Sequence, residues 1–182
     1  MKNLLLPLVT MLFVNASALA AQVDASQSVI TWKGSKITGD HHVGQLSTRS
    51  SSLKLSGDQI TGGQIVFEMN SLTVTDLQGK WKDKFLGHMK SADFFDVANF
   101  PTATLTVQSM VDGQLSGQLT IKGVTQPTSF PVRLVDGKYV GKATFDRTKF
   151  GITYGSGNFF ENLGDKMIND KVEVEFSIAL TE

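Results

Sequence analysis

Cysteine is absent from all 182 residues. No disulfide can staple the fold, so stability must come from a buried core, and a lipid anchor on an amino-terminal cysteine is excluded. Any metal site would have to be built from His and carboxylate alone. Proline is scarce, at four residues against seventeen glycines, and with abundant Ser, Thr and Val this suits a β-rich chain. Neither sign of charge dominates, since 17 Lys and Arg stand against 17 Asp and Glu. No basic patch breaks that balance, so no nucleic-acid partner is expected.

The usual catalytic fingerprints are missing as well. There is no Gly-x-Ser-x-Gly elbow, no P-loop and no dinucleotide-binding glycine motif. The three histidines are His41, His42 and His88. Asp40-His41-His42 matches no zinc-ligand spacing, and neighbours on a strand point to opposite faces, so no bound metal is expected. Asp93 and Asp96 flank two phenylalanines and read as caps and turn formers rather than an acid pair.

Long apolar runs are confined to residues 1–20. Lys2 precedes an apolar run from Leu4 to Val14, broken by Pro7 and Thr10, and Ala18-Leu19-Ala20 forms a small-x-small site. This predicts a secretory signal peptide cleaved after Ala20, too short for a stable membrane anchor. Residues 21–182 are then one domain in the periplasm or the medium, with 16 basic and 17 acidic residues once Lys2 is lost.

What is present alternates. Ser28–Lys33 predicts a first strand, Gly39–Gly44 a turn into a second extended piece, and Ser47–Ser56 a weakly alternating strand. Gly63, Ile65, Phe67 and Met69 share one face by period two. Gly79–Lys90 switches period: Trp81, Phe85 and Met89, four apart, predict the inner face of one amphipathic helix, with lysines on the other side. Ser91-Ala-Asp-Phe-Phe-Asp96 and Phe100-Pro101 form the hinge back into strands, with Phe94, Phe95 and Phe100 as an apolar plug. Five more strands follow, carrying inward Ala103, Leu105 and Val107, then Leu115 to Ile121, Phe130 to Leu134, Tyr139 to Phe145, and Val172 to Leu180. Asp112-Gly113 and Asp136-Gly137 are hairpin pairs, and residues 151–169 make a long Gly- and Asn-rich connection. Seven or eight antiparallel strands at short spacing make the fold class all-β, a sandwich or an up-and-down barrel. Small inward residues (Gly63, Ala103, Gly117, Gly141, Ala143) leave space and favour an antiparallel up-and-down barrel of about eight strands plus the helix, although such residues also fit tight bends.

Four stretches resemble the YceI-like family of exported lipid-binding proteins, also called polyisoprenoid-binding proteins. They are His88-Met-Lys-Ser-Ala-Asp-Phe-Phe-Asp96 with Phe100-Pro101, Gly117–Thr125 closed by Pro127, Arg147-Thr-Lys-Phe-Gly-Ile152, and the closing strand from Asp170. Their order and spacing agree across nearly the whole of residues 21–182. The chain departs at Gln27, where the family's opening motif has His, at Leu46, where Phe is usual, and at Lys84–Met89, where many members carry Arg-Asp-His-Leu.

The resemblance implies a lipocalin-like barrel holding a long-chain isoprenoid lipid, a polyprenyl chain or quinone tail, with no cofactor and no catalysis. Transient contact with a membrane surface would accompany a carrier role. Two rivals stay open: an enzyme of lipid metabolism using the same cavity, and a stress-related surface protein without a lipid. The candidate ligand contacts are the large inward side chains. They are Phe67 and Met69, Phe85 on the helix, Phe94 and Phe95 at the hinge, Leu105, Leu119, Ile121 and Phe130 on the middle strands, Tyr139, Ala143 and Phe145, Phe150 beyond them, and Phe176 on the last strand. Arg147 or Arg133 is the candidate to hold a polar head group.

Overall fold

The computed structural model describes residues 19–181. All but the last two residues of the expected signal peptide lie outside that range. Leu19 and Ala20 open the first strand, their backbones paired with Leu55 and Lys54. Strands β1 (Leu19–Ser35), β2 (His41–Gln45), β3 (Ser47–Ser56) and β4 (Gln59–Glu68) precede helix α1 (Gly79–Lys90). Strands β5 (Thr102–Val111), β6 (Gln114–Ile121), β7 (Val124–Val135), β8 (Lys138–Asp146) and β9 (Lys171–Thr181) follow it.

Each strand from β3 to β9 pairs antiparallel with its sequence neighbour, and β1 pairs with β9 to close the sheet. β2 and β3 are separated by Leu46 alone. β2 pairs with Thr31–Ser35 of β1, and β3 with Leu19–Ala21. Together they serve as one staggered strand, so the barrel is eight-stranded and antiparallel with one helix, as the period-two pattern predicts.

The opening motif of β1 is a bulge. Register with β9 shifts between Asp24 and Val29. The Asp24 carboxylate accepts from the Ser26 N–H and hydroxyl, and the Ser28 hydroxyl accepts from the Ala179 N–H at 2.9 Å. Gln27 is exposed, so the departure from His falls on a solvent-facing side chain. Asp112-Gly113 and Asp136-Gly137 have positive φ at both residues, the I′ geometry that matches strand twist. Lys122-Gly123 does the same between β6 and β7 with no Asn or Asp.

Two expectations need correcting. The inward glycines do not make room. A Cβ at Gly117 would strike the Thr106 carbonyl oxygen, and one at Gly141 would lie 2.5 Å from both the Pro131 oxygen and the Phe176 ring. Gly63, at φ +106, would meet the Ser52 carbonyl in the same way. The sheet is coiled so tightly that neighbouring backbone occupies the side-chain position. Trp81 is not on the inner face of α1 but 71% exposed, with Met89 buried and Phe85 between. Steps of four overrun the helical repeat by about 40° each, so a stripe centred on Met89 leaves Trp81 about 80° away. Leu86 completes the packed face instead.

The core forms two clusters. The upper one, under α1 and the long connections, contains Trp32, Leu72, Met89, Phe94, Phe95 and Ile152. The lower one, at the end of the short hairpins, contains Leu53, Ile60, Leu115, Val132, Tyr139 and Ile178. Phe67, Leu46, Leu119 and Val174 pack against both.

Candidate functional site

Between these clusters the barrel encloses a cavity of about 910 Å³, at the large end of the range for small-molecule sites. Its floor is made by Leu53, Ile60, Tyr139 and Leu180. Tyr139 seals that end by donating its hydroxyl to the Asp58 carbonyl at 3.1 Å. Burial pushes the phenol's pKa up, and the Asp58 charge adds to the shift. The mouth lies at the opposite end, bordered by Lys36, residues 39–42, Phe85, His88, Tyr154 and Asn169.

Every candidate contact except Phe150 lines this cavity. Phe67, Leu105, Leu119, Ile121, Phe130, Tyr139, Ala143, Phe145 and Phe176 contribute from the barrel wall. Met69 enters from the 3₁₀ turn after β4, its N–H bonded to the Pro101 carbonyl rather than to a strand. Phe94 and Phe95 are buried, packed edge to face at 5.6 Å, on the turns that follow α1. Phe85 reaches in from α1, stacked on Trp32 at 6.2 Å and tilted against His42 at 4.5 Å. Phe150 is corrected: β8 ends at Asp146, and the 3₁₀ turn Arg147–Phe150 carries its ring behind Phe145, at 5.8 Å, away from the lumen.

Other residues line the cavity too. Ile30 and Trp32 alternate inward on β1, a position that period two signals; Tyr154 and Ile168 sit in an aperiodic connection that carries no such signal.

Neither arginine presents a free donor to the lumen. Arg133 is exposed on the outer face of β7. Arg147 is 1% exposed and fully engaged. Its Nε donates to the Asn169 carbonyl, one terminal nitrogen to the carbonyls of Ile152 and Tyr154, and the other to the Ile168 carbonyl and the Asp170 carboxylate, all at 2.8–3.3 Å. Burial lowers its pKa while Asp170 and Asp146 oppose the shift, and an arginine stays charged regardless. The side chain is a knot that ties the 151–170 connection to the barrel rim.

The other side of the mouth is held by Asp76. Residues 73–75 run beside β2, through Thr73 N–H to the Gln45 carbonyl and Thr75 N–H to the Val43 carbonyl. The Asp76 carboxylate then accepts from the Val43 N–H at 3.0 Å and pairs with His42 Nδ1 at 2.7 Å. Burial works to raise its pKa, but these hydrogen bonds outweigh it and the pKa lies below the ordinary value.

Comparison with known proteins agrees with this architecture. Over 149 residues the chain is 28% identical to a UPF0312 protein of Shewanella baltica, covering 74% of this chain and 76% of that one. A Staphylococcus aureus UPF0312 protein is 32% identical over 106 residues, half of this chain and 61% of the relative. Among solved structures, Burkholderia cenocepacia BcnA superposes with a TM-score of 0.64 at 18% identity, covering 88% of this chain and 99% of that one. A polyisoprenoid binding domain from Saccharophagus degradans gives 0.61 at 21% identity, over 88% and 97%. These likenesses show a shared fold. The model of the YceI-like domain matches residues 22–180, from the fourth residue of β1 to the last but one of β9. With the closed barrel, the Phe94-Phe95 hinge and the Arg147 knot all inside that span, the chain belongs to the YceI-like family.

Proposed function

We propose that this protein is an exported carrier or store for a long-chain isoprenoid lipid, held in the barrel cavity and not chemically changed there. One observation carries the reading. The cavity is deep and closed at its floor, and its walls are Phe, Leu, Ile and Val; ionisable lining groups stand at the rim, with Tyr139 alone on the floor. The likeness to a polyisoprenoid binding domain supports the same ligand class.

Each buried CH₂ is worth about 0.8 kcal/mol against water, so one five-carbon unit would contribute about 4 kcal/mol. The competitor, however, is the bilayer, which is equally apolar. Transfer between the two is close to neutral, which suits a protein that both takes up and returns its lipid. The exchange surface is the mouth. The exposed aromatic side chains among the described residues are Trp81, Tyr154, Phe159 and Phe160, all on α1 or the 151–169 connection. α1 adds Lys80, Lys82, Lys84 and Lys90 against Asp83 alone. Aromatic rings and snorkelling lysines are what a headgroup layer accommodates.

Mass spectrometry of solvent extracts from the purified protein tests the reading. A co-purifying prenyl lipid is expected. Protein that carries none, and takes up none from prenol-loaded vesicles, would overturn it. The export half rests on the charged, apolar, then small pattern of residues 1–20; a mature chain beginning at Ala21 is expected, and an intact Met1 on fractionated protein would refute it.

A further inference from the structure

β1, β2, α1 and residues 73–76 meet around His42 at the mouth. The pairing of β2 with β1 sets Gly44 opposite Trp32 and His42 opposite Gly34. Residues directly opposite, or two apart on one strand, share a face, so His42 points to the same side as Trp32, which is the lumen side. It lines the cavity with its side chain 37% exposed, and the Phe85 ring lies tilted against it at 4.5 Å. Gly34 leaves the space beside the imidazole open, since a Cβ there would meet only the Trp32 ring, at 4.0 Å.

The imidazole is fixed from behind. His42 Nδ1 donates to Asp76 Oδ2 at 2.7 Å, and Asp76 Oδ1 accepts the Val43 N–H at 3.0 Å, so the carboxylate is itself tied to β2. An ionised carboxylate can only accept. The ring proton therefore sits on Nδ1, and Nε2 of the neutral imidazole is an acceptor. Nε2 has no protein partner among the described residues, and it is accessible. The other polar tips along the cavity are engaged: Trp32 Nε1 with the Thr73 carbonyl, the Tyr139 hydroxyl with the Asp58 carbonyl, and Arg147 with five protein oxygens.

We propose that His42 Nε2 accepts a hydrogen bond from a hydroxyl at the polar end of the bound lipid, so that the site selects a prenyl alcohol or hydroquinol over an ether, a quinone or a hydrocarbon. The inference rests on the lipid-binding reading above. An acceptor held in one tautomer discriminates by proton: a hydroxyl supplies one, whereas an ether or quinone oxygen offers only lone pairs. Charge at the mouth favours a neutral head group. Lys36 is the one lysine lining the cavity among the described residues, and Asp40 beside it and Asp76 behind His42 would repel a phosphate.

The test uses delipidated protein and phosphatidylcholine vesicles loaded with a polyprenol, its methyl ether or its phosphate, all of one chain length. Uptake is measured near pH 8, well above the ordinary imidazole value of about 6.5. The unmodified protein is expected to favour the polyprenol over the ether about five- to tenfold. His42→Phe keeps a ring beside Phe85 and removes the nitrogen; it is expected to abolish the preference with ether uptake unchanged, and His42→Gln to recover it in part. Gly34→Leu covers the ring without touching Asp76 and is expected to abolish the preference too. A preference that survives both His42→Phe and Gly34→Leu overturns the contact. Equal uptake of polyprenol and ether by the unmodified protein overturns the hydroxyl selection, and a preference for the phosphate overturns the neutral head group; each leaves the lipid-binding reading standing. Failure to take up any of the three overturns that reading and this inference with it.

Discussion

The two ends of the barrel are built on different terms. At the floor, β3–β4, β5–β6 and β7–β8 are joined by two-residue turns, and large apolar side chains with one phenol fill the space between them. At the mouth, residues 36–40, 69–101 and 147–170 make long connections, and the chain's helix lies among them. Short turns fix strand register but bring few side chains over an end. Long connections bring many, and with them the backbone carbonyls that Arg147 must satisfy and the histidines that border the opening. Stability is local and apolar at the floor, and depends on a few polar ties at the mouth.

Replacing Arg147 with Met tests the mouth most severely. It strips the donors from buried carbonyls of the 151–170 connection, and a loss of about 3–5 kcal/mol is expected in denaturant unfolding. A loss below about 1 kcal/mol would mean that water replaces the guanidinium and that the knot is dispensable.

The next contrast sits within β8, where Gly141 and Ala143 share the inward face. Gly141→Ala forces a methyl group against Pro131 and Phe176, and is expected to destabilise by about 1–3 kcal/mol. Ala143→Phe points into the lumen. It is expected to leave delipidated protein near native stability while sharply reducing the lipid retained on purification. Similar destabilisation by both, with lipid content unchanged, would mean that the wall at Ala143 is packed solid.

Titration separates the ends in a third way. Asp76 and Asp146 have pKa values below their ordinary 3.8, Asp146 because its bonds from Thr148 outweigh burial. Their stabilisation is complete above the unfolded value and drains as pH falls through the lower folded one. Tyr139 is shifted above its ordinary 10.0, so its contribution is complete below that value and is lost as pH rises through the folded pKa. Acid should therefore weaken the ties at Asp76 and Asp146, and alkali the floor at Tyr139. Thermal melts across pH check this: Asp76→Asn should flatten the acid limb and Tyr139→Phe the alkaline one, and unchanged limbs would refute the assignment.

The smallest stability effect is expected at Trp81→Ala, below about 0.5 kcal/mol because the ring is 71% exposed. Lipid transfer between vesicles should nevertheless slow. Unchanged transfer rates would remove Trp81 from the exchange surface.

Much of the barrel wall and floor could be read directly from the chain. Period-two alternation on β5 to β9 and the Asp-Gly pairs are local signals, and they place Leu105, Leu119, Ile121, Phe130 and Tyr139 correctly on the lumen side. The mouth was less legible because its determinants are not local. Tyr154 and Ile168 have no periodicity around them, and Arg147 looks like any strand-end charge until the connection folds over it. Gly117 and Gly141 misled for a related reason. A missing side chain reads as empty volume, but sheet coiling decides whether cavity or neighbouring backbone takes the space.

The pairing of β1 with β9 has a consequence for how the molecule forms. Gln22 lies opposite Thr181 and Lys33 opposite Glu173; the Thr181 hydroxyl donates to the Gln22 carbonyl across a separation of 159 residues. Contacts of such range form late and slowly, because the intervening chain must be ordered first. A chain emerging from its amino terminus has no closed barrel to occupy until its final strand is available. Until then β1 and β8 both present bare hydrogen-bonding edges, the surfaces most prone to pair with another molecule. Closure of the barrel therefore waits on β9, and a truncation inside β9 should yield aggregates rather than a smaller barrel.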